Sequence, residues 1–128
     1  MTINENDMQA LRRDADGLLT YEYIANHIDS LDGNDLDRLV DNMIAVDLSG
    51  QFLASAARYL HAIDASAYAE AVDRLVASTI VKDREHRYLP DILNSMYGPD
   101  YADRADELSA ADNNFRRIYK RLYPNSVI

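Results

Sequence analysis

Apolar residues recur every three or four positions along most of this chain, which is the spacing of the buried face of an amphipathic helix. One such run is Leu36, Leu39, Val40, Met43 and Ile44. Similar runs follow one another from the N-terminal segment to the C-terminal segment. No segment shows the sustained apolar–polar alternation of a half-buried strand. The pattern therefore predicts an all-α fold of about six or seven short helices.

The pattern also contains an internal repeat with an offset of 36 residues, because segment 36–57 reappears as segment 72–93. Seven aligned pairs are identical: Asp37/Asp73, Arg38/Arg74, Leu39/Leu75, Val40/Val76, Ile44/Ile80, Asp47/Asp83 and Leu53/Leu89. Ordinary composition would give about one or two identities by chance. A period of this length is typical of a two-helix repeat. We therefore expect two superposable helical hairpins in which the paired apolar residues are buried.

The length of 128 residues, 48% of them apolar, suits one domain with one core. We expect a single all-helical domain that spans residues 1–128. Its centre is the duplicated pair of units, 34–62 and 70–98. The flanking segments 1–33 and 99–128 are expected to act as capping helices, because the terminal units of a repeat array must present a polar outer face.

Each unit has features that resemble a known architecture. The first helix is rich in leucine and is followed by an aspartate, Asp47 or Asp83, and the second helix of the first unit carries the small residues Ala56 and Ala57. In these respects residues 34–98 resemble HEAT-type helical repeats. The resemblance implies stacked helix pairs and no particular function. The position of the two aspartates also predicts that each one N-caps the second helix of its unit.

Other residues predict further helix boundaries. Asn34 is expected to cap the first helix of the first unit, and Ser109 with Asp112 is typical of a capping box before the last helix. Pro90 falls where the second helix of the second unit is expected. Because a proline inside a helix removes a backbone hydrogen bond, we expect Pro90 to kink or split that helix.

The net charge of −9 belongs to the N-terminal part of the chain. Residues 1–81 contain 14 acidic and 5 basic residues, whereas residues 82–128 contain 8 of each. The densest acidic stretch has Arg38 as its one base and consists of Asp29, Asp32, Asp35, Asp37 and Asp41. A surface with charge of one sign speeds the encounter with a complementary partner. We therefore expect this acidic face to dock a basic protein partner.

A basic cluster on the last helix offers an alternative surface. Its members are Arg116, Arg117, Lys120 and Arg121. They lie opposite the apolar residues of the same helix and suit contact with nucleic acid or another acidic ligand. The acidity of the whole chain makes nucleic acid the less expected of these ligands. The same charges also suit a solvated helix C-terminus that binds nothing.

The residues needed for metal, cofactor or nucleophilic chemistry show no recognisable arrangement. The chain has no cysteine, and its three histidines lack the spacing of a helical metal site. A calcium loop that begins at Asp29 fails, because Leu31 and Gly33 stand where oxygen ligands are needed. We therefore expect no catalytic residue, no metal and no cofactor. An enzyme that uses carboxylate chemistry is the remaining alternative.

The absence of cysteine favours an intracellular protein, and no apolar stretch suits a signal peptide or a membrane span. We expect a cytoplasmic protein that does not bind membranes. Because duplication builds surfaces, we infer a non-enzymatic protein–protein interaction module: an adaptor, an inhibitor or a regulatory subunit. The partner is an unidentified protein, and self-association through exposed repeat edges is left open.

Overall fold

The computed structural model describes residues 3–126, and every regular element within them is helical. The α-helices in this part of the chain are α1 (Glu5–Arg12), α2 (Leu18–His27), α3 (Gly33–Val46), α4 (Gln51–Asp64), α5 (Ala69–Lys82), α6 (Leu89–Tyr97), α7 (Ala105–Ala111) and α8 (Asn113–Leu122). Short 3-10 helices, Ile28–Ser30 and Tyr101–Arg104, precede α3 and α7. The all-α prediction is confirmed. The unexpected helix is α7, whose seven residues bury only Ala105 and give no clear apolar run.

Alternate helices lie side by side in two layers. Helices α1, α3 and α5 form one layer and α2, α4 and α6 form the other, while α8 packs on both α5 and α6. The most extensive packing is that of α4 on α5, which joins the two predicted units. The core lies between the layers and includes the fully buried side chains of Leu39, Leu60, Leu75 and Phe115.

The duplicated apolar pairs occupy similar but not identical environments. Three pairs are buried in both copies: Leu39/Leu75, Val40/Val76 and Leu53/Leu89. In the fourth pair Ile80 is buried, whereas Ile44 is half-buried. The second helices also differ, since α4 has 14 residues and α6 has 9. The likeness to HEAT-type repeats is not confirmed and stays a prediction.

A buried aspartate holds the turn before α4 and before α6. Asp47 and Asp83 lie four and six residues before the first residues of these helices, so the prediction that they occupy the N-cap position is wrong. Their carboxylates instead reach across the turn to the start of the helix. Asp47 Oδ2 accepts a hydrogen bond from the N–H of Leu53 at 2.9 Å, and Asp83 Oδ2 accepts one from the N–H of Leu89 at 2.9 Å. Each aspartate therefore satisfies helix N–H groups that have no partner within the helix.

The turn between α1 and α2 has the same arrangement. It lies outside the repeat of 36 residues, because Asp14 and Asp47 are 33 positions apart. Asp14 is buried, and its Oδ2 accepts a hydrogen bond from the N–H of Thr20 at 2.9 Å. A residue with positive φ stands three positions after the aspartate in all three turns. These residues are Gly17 at 104°, Gly50 at 92° and His86 at 57°.

The three turns, residues 14–17, 47–50 and 83–86, lie against one another and form what we call the turn end of the molecule. A Cβ atom built on Gly17 would lie 3.2 Å from the Cβ of Asp47, and one built on Gly50 would lie 3.4 Å from the Cβ of Asp83. Glycine is favoured at both positions for two reasons. The backbone is left-handed there, and a side chain would also press against the next turn.

Three further boundary predictions are wrong. Pro90 is in the first turn of α6, where its missing N–H costs nothing, because this helix begins later than expected. Asn34 lies inside α3, and the cap of that helix is Asp32. Ser109 belongs to α7, so it forms no capping box with Asp112, although Asp112 itself does cap α8.

Candidate interaction surface

The end of the molecule opposite the turn end collects acidic residues from distant parts of the chain. Helices α2, α4 and α6 finish there, while α3, α5 and α8 begin there. We call segments 28–37, 63–73, 98–100 and 112–114 the acidic end. They contain no Lys or Arg and nine carboxylates: Asp29, Asp32, Asp35, Asp37, Asp64, Glu70, Asp73, Asp100 and Asp112.

The acidic face predicted from the sequence falls partly within this acidic end, with one correction. Asp29 and Asp32 are exposed, and Asp32 caps α3 by accepting a hydrogen bond from the N–H of Asp35 at 2.8 Å. Asp35, however, is only 1% exposed. Its carboxylate accepts from the backbone N–H of Ile3 at 3.3 Å and completes the capping box. Asp35 is therefore a structural residue and offers no surface to a partner.

Asp37 and Asp41 lie one helical turn apart on α3, and both contact Arg74 of α5. Asp37 Oδ1 is 3.8 Å from Arg74 Nη1, and Asp41 accepts a hydrogen bond from Arg74 Nη2. Arg38 makes a similar bridge from α3 to Glu5 of α1 at 3.7 Å. The identity of Arg38 and Arg74 in the repeat therefore reflects contacts between neighbouring helices of one layer. The two aspartate side chains remain 60% and 67% exposed, so they still contribute to the surface potential.

Ion pairs neutralise only part of the negative charge at the acidic end. Arg74 reaches it from α5, and Arg104 forms an ion pair with Asp100 at 3.4 Å. Asp29 and Glu70 are exposed and make neither a hydrogen bond nor an ion pair through their carboxylates with any described residue. The positive ends of the helices that begin here stabilise part of this charge, as is usual for acidic residues in a first turn.

A pocket of about 190 Å³ opens at the acidic end, where α4, α5, α6 and α8 meet. One part of its wall is apolar and consists of Ala65, Ala69, Val72, Val76 and Met96. The other part is polar and consists of His61, Asp73, Tyr97, Asp112 and Asn114. This pocket has no signal in the sequence, because its residues lie more than fifty positions apart at the extremes and share no motif.

Hydrogen bonds fix the polar wall of the pocket. The hydroxyl of Tyr97 donates to Asp112 Oδ2 at 2.7 Å, and Asn114 Nδ2 donates to Asp73 Oδ1 at 2.8 Å. Burial raises the pKa of Tyr97, and the hydrogen bond to Asp112 raises it further. The phenol therefore stays protonated at neutral pH and acts as a hydrogen-bond donor.

The basic cluster lies on α8, as predicted. Arg116, Lys120 and Arg121 are exposed, and Arg117 is half-buried. Their hydrogen bonds go to neutral oxygens; for example, Lys120 Nζ is 3.4 Å from the carbonyl oxygen of Ser126. Within residues 3–126 none of the four forms an ion pair with a carboxylate. This cluster is therefore an uncompensated positive surface.

The turn end has a cleft of about 270 Å³ beside a partly buried lysine. Lys82 Nζ donates to the carbonyl oxygen of Asp47 at 2.6 Å and to that of Ile44. Burial lowers the pKa of Lys82, and the charge of Asp47 opposes this change. Lys82 therefore holds the C-terminal end of α3 against α5, which explains its burial without a ligand.

Residues 3–126 contain neither a candidate metal site nor a helix suited to crossing a membrane. No group of three or more His, Asp or Glu side chains in this range is arranged to hold a metal ion. No helix among the described residues has the length and apolarity that crossing a bilayer requires. Comparison of the chain with models of protein families, with curated proteins and with solved structures found no match.

Proposed function

We propose that this chain is a protein-interaction module that binds a basic segment of a partner protein through its acidic end. The observation that carries the proposal is the meeting of nine carboxylates at one end of the molecule, where only Asp35 is buried and where Arg74 and Arg104 neutralise part of the charge. A rigid surface of this charge raises the rate at which a basic partner is captured. It also repels phosphate-bearing ligands such as nucleic acids.

The chemistry of the pocket supports a binding role over a catalytic one. Its wall contains no Ser, Thr, Cys or Lys side chain, and its two carboxylates, Asp73 and Asp112, already accept hydrogen bonds from Asn114 and Tyr97. Tyr97 has a raised pKa and already donates its proton to Asp112, so it is poorly suited to act as a general base. We therefore propose that the protein acts by occupying a partner's basic surface, as an adaptor, an inhibitor or a regulatory subunit.

The experiment measures the binding of a fluorescent oligo-arginine peptide by anisotropy. The test variant combines Asp29→Lys with Glu70→Lys, because both carboxylates are exposed at the acidic end and make no hydrogen bond or ion pair with a described residue. The control variant combines Glu22→Lys with Asp91→Lys, which are exposed acids elsewhere. Both variants have the same net charge. Any difference in their peptide binding therefore reflects where the substitutions lie and not the total charge of the protein.

We expect the acidic-end variant to bind the peptide about tenfold or more weakly than the control variant, with a difference that shrinks as salt is added. Equal losses in the two variants would show that the peptide responds only to net charge. That result would contradict the proposal.

The basic cluster on α8, which forms no ion pair within residues 3–126, favours a second candidate function, the binding of an acidic ligand. An oligo-glutamate peptide is the matching probe, and Arg116→Glu combined with Lys120→Glu is the matching variant. If this function operates, the peptide binds the wild type and this variant loses the binding. Absence of binding to the wild type would leave α8 as a solvated helix face.

A further inference from the structure

The hydrogen bonds in the pocket at the acidic end show which ligands the pocket can bind. Its two fixed donors, the Tyr97 hydroxyl and the Asn114 amide, are already directed at the carboxylates of Asp112 and Asp73. Each carboxylate has more acceptor sites than these bonds use. Apart from His61, which can donate or accept, the side chains of the wall therefore offer acceptors and no free donor.

Asn114 gives a second and independent indication. The residue is only 7% exposed, and its Nδ2 donates to both the carbonyl oxygen and the carboxylate of Asp73. No described residue donates a hydrogen bond to its Oδ1 atom. This oxygen is not one of the fully buried atoms without a partner, so it is accessible, and a ligand that brings N–H groups can donate to it in place of water.

The size and the apolar wall of the pocket further restrict the ligands that fit it. Its volume of about 190 Å³ is below the range of roughly 300–1,000 Å³ that is typical of small-molecule sites. One long side chain fits better than a cofactor. The alanine, valine and methionine wall suits the methylene stem of lysine or arginine, whose charged head then lies among the oxygens.

We propose that this pocket receives one cationic side chain, an ammonium or a guanidinium group, from the basic segment of the partner. This proposal rests on the proposed function and adds the anchor residue to it. The surrounding carboxylates attract the segment, and the pocket fixes one of its side chains between α5, α6 and α8. Buried anchors of this kind carry much of the binding energy at protein interfaces.

The first test uses small probes that carry only the head group and a stem. The amide spectrum of the ¹⁵N-labelled protein is recorded with n-butylammonium chloride, with n-butylguanidinium chloride and with neutral n-butanol. We expect saturable shifts of Ala69, Asp73, Tyr97 and the Asn114 side-chain amide with at least one cation and not with butanol. The stronger cation shows which head group the site prefers. No saturable shift with either cation, or equal shifts with butanol, would overturn the proposal.

The second test fills the pocket without changing its charge. Ala69→Leu, at the first residue of α5, occupies space in the wall, while Ala67→Leu is a control in the turn before α5, and Ala67 does not line the pocket. We expect Ala69→Leu to abolish the cation shifts and to weaken oligo-arginine binding about tenfold, with Ala67→Leu close to wild type. Asp73→Asn, which removes one charge from the wall, should also reduce the cation shifts, and it serves if Ala69→Leu fails to fold.

The two proposals fail in different ways. If the acidic-end reversals weaken oligo-arginine binding but Ala69→Leu does not, the acidic end binds basic segments without an anchor and only the pocket proposal is wrong. If Ala69→Leu abolishes the butyl-cation shifts while the reversals leave oligo-arginine binding unchanged, the pocket proposal holds as a small-cation site and the proposed function is wrong.

Discussion

At the scale of single residues, three buried aspartates determine where consecutive helices turn. Asp14, Asp47 and Asp83 each place a carboxylate over the first N–H groups of the following helix. Each is supported by a residue with positive φ three positions later. The duplication in the sequence identified two of these aspartates, but not how far each one lies from its helix, because the intervening turn leaves no apolar pattern.

Replacement of Asp47 by alanine should destabilise the protein strongly. The carboxylate accepts from the N–H groups of Gly50, Phe52 and Leu53, and the buried groups would be left without a partner. We expect Asp47→Ala to lower the free energy of unfolding by about 2–4 kcal/mol in urea denaturation. Asp91→Ala, an exposed control, should change it by less than about 0.5 kcal/mol. Equal effects of the two substitutions would show that the turn does not depend on its aspartate.

His86 should be replaceable by glycine with a gain in stability. It is the only non-glycine residue with positive φ among residues 3–126, and a left-handed backbone is costly for a residue with a Cβ atom. We expect His86→Gly to raise the free energy of unfolding by about 0.5–1 kcal/mol. Gly50→Ala should have the opposite sign, since its φ is 92° and Asp83 lies close to the new Cβ. Destabilisation by His86→Gly would mean that the imidazole makes a contact worth more than the strain.

Asp14 should contribute stability that depends on pH. Burial alone would raise the pKa of Asp14, but hydrogen bonds from Thr20, Gly17 and Asp16 outweigh it and lower the pKa below its usual value. As the pH falls, the unfolded chain therefore binds this proton before the folded protein does. Stability is lost progressively until the pH reaches the folded pKa. We expect the stability difference between wild type and Asp14→Asn to be largest at neutral pH and to shrink in acid. Curves that stay parallel throughout the acid range would contradict this assignment.

At the scale of helices, the repeated residues are explained by contacts between alternate helices of one layer. Arg38 and Arg74 each bridge to the preceding helix of their layer, and the paired leucines Leu39 and Leu75 face the core. The apolar pattern predicted these helices well, because their long buried faces leave a regular spacing. It missed α7, which is short and buries little. The pattern also predicted that Pro90 lies inside the second helix of the second unit. In the structure this helix, α6, begins only one residue before Pro90.

Truncation of either paired leucine should have a similar effect. Leu39 and Leu75 are both fully buried, so Leu→Ala removes the same group and leaves a cavity in each case. We expect each variant to lose about 2–5 kcal/mol of unfolding free energy. Thermal and urea unfolding would check this. A loss at one position but not at the other would show that the two sites differ in packing despite their equal burial.

At the scale of the whole molecule, the fold separates its charges. The carboxylates of the acidic end extend from Asp29 to Asp112, which are 83 positions apart in the chain, so a count along the sequence detects only the part around Asp29 and Asp37. Burial also removes Asp35 from the surface. The pocket beside Tyr97 and Asp112 was not predictable, since its walls come from four helices whose packing no local pattern specifies.

Chemical-shift mapping would show whether a basic segment binds at the acidic end. The ¹⁵N-labelled protein is titrated with an oligo-arginine peptide, and the shifted amides are assigned. We expect shifts to concentrate in segments 28–37, 63–73, 98–100 and 112–114, while the turn end and the basic cluster on α8 stay unchanged. Shifts spread over the whole surface, or concentrated around Arg116 and Lys120, would contradict the proposed function.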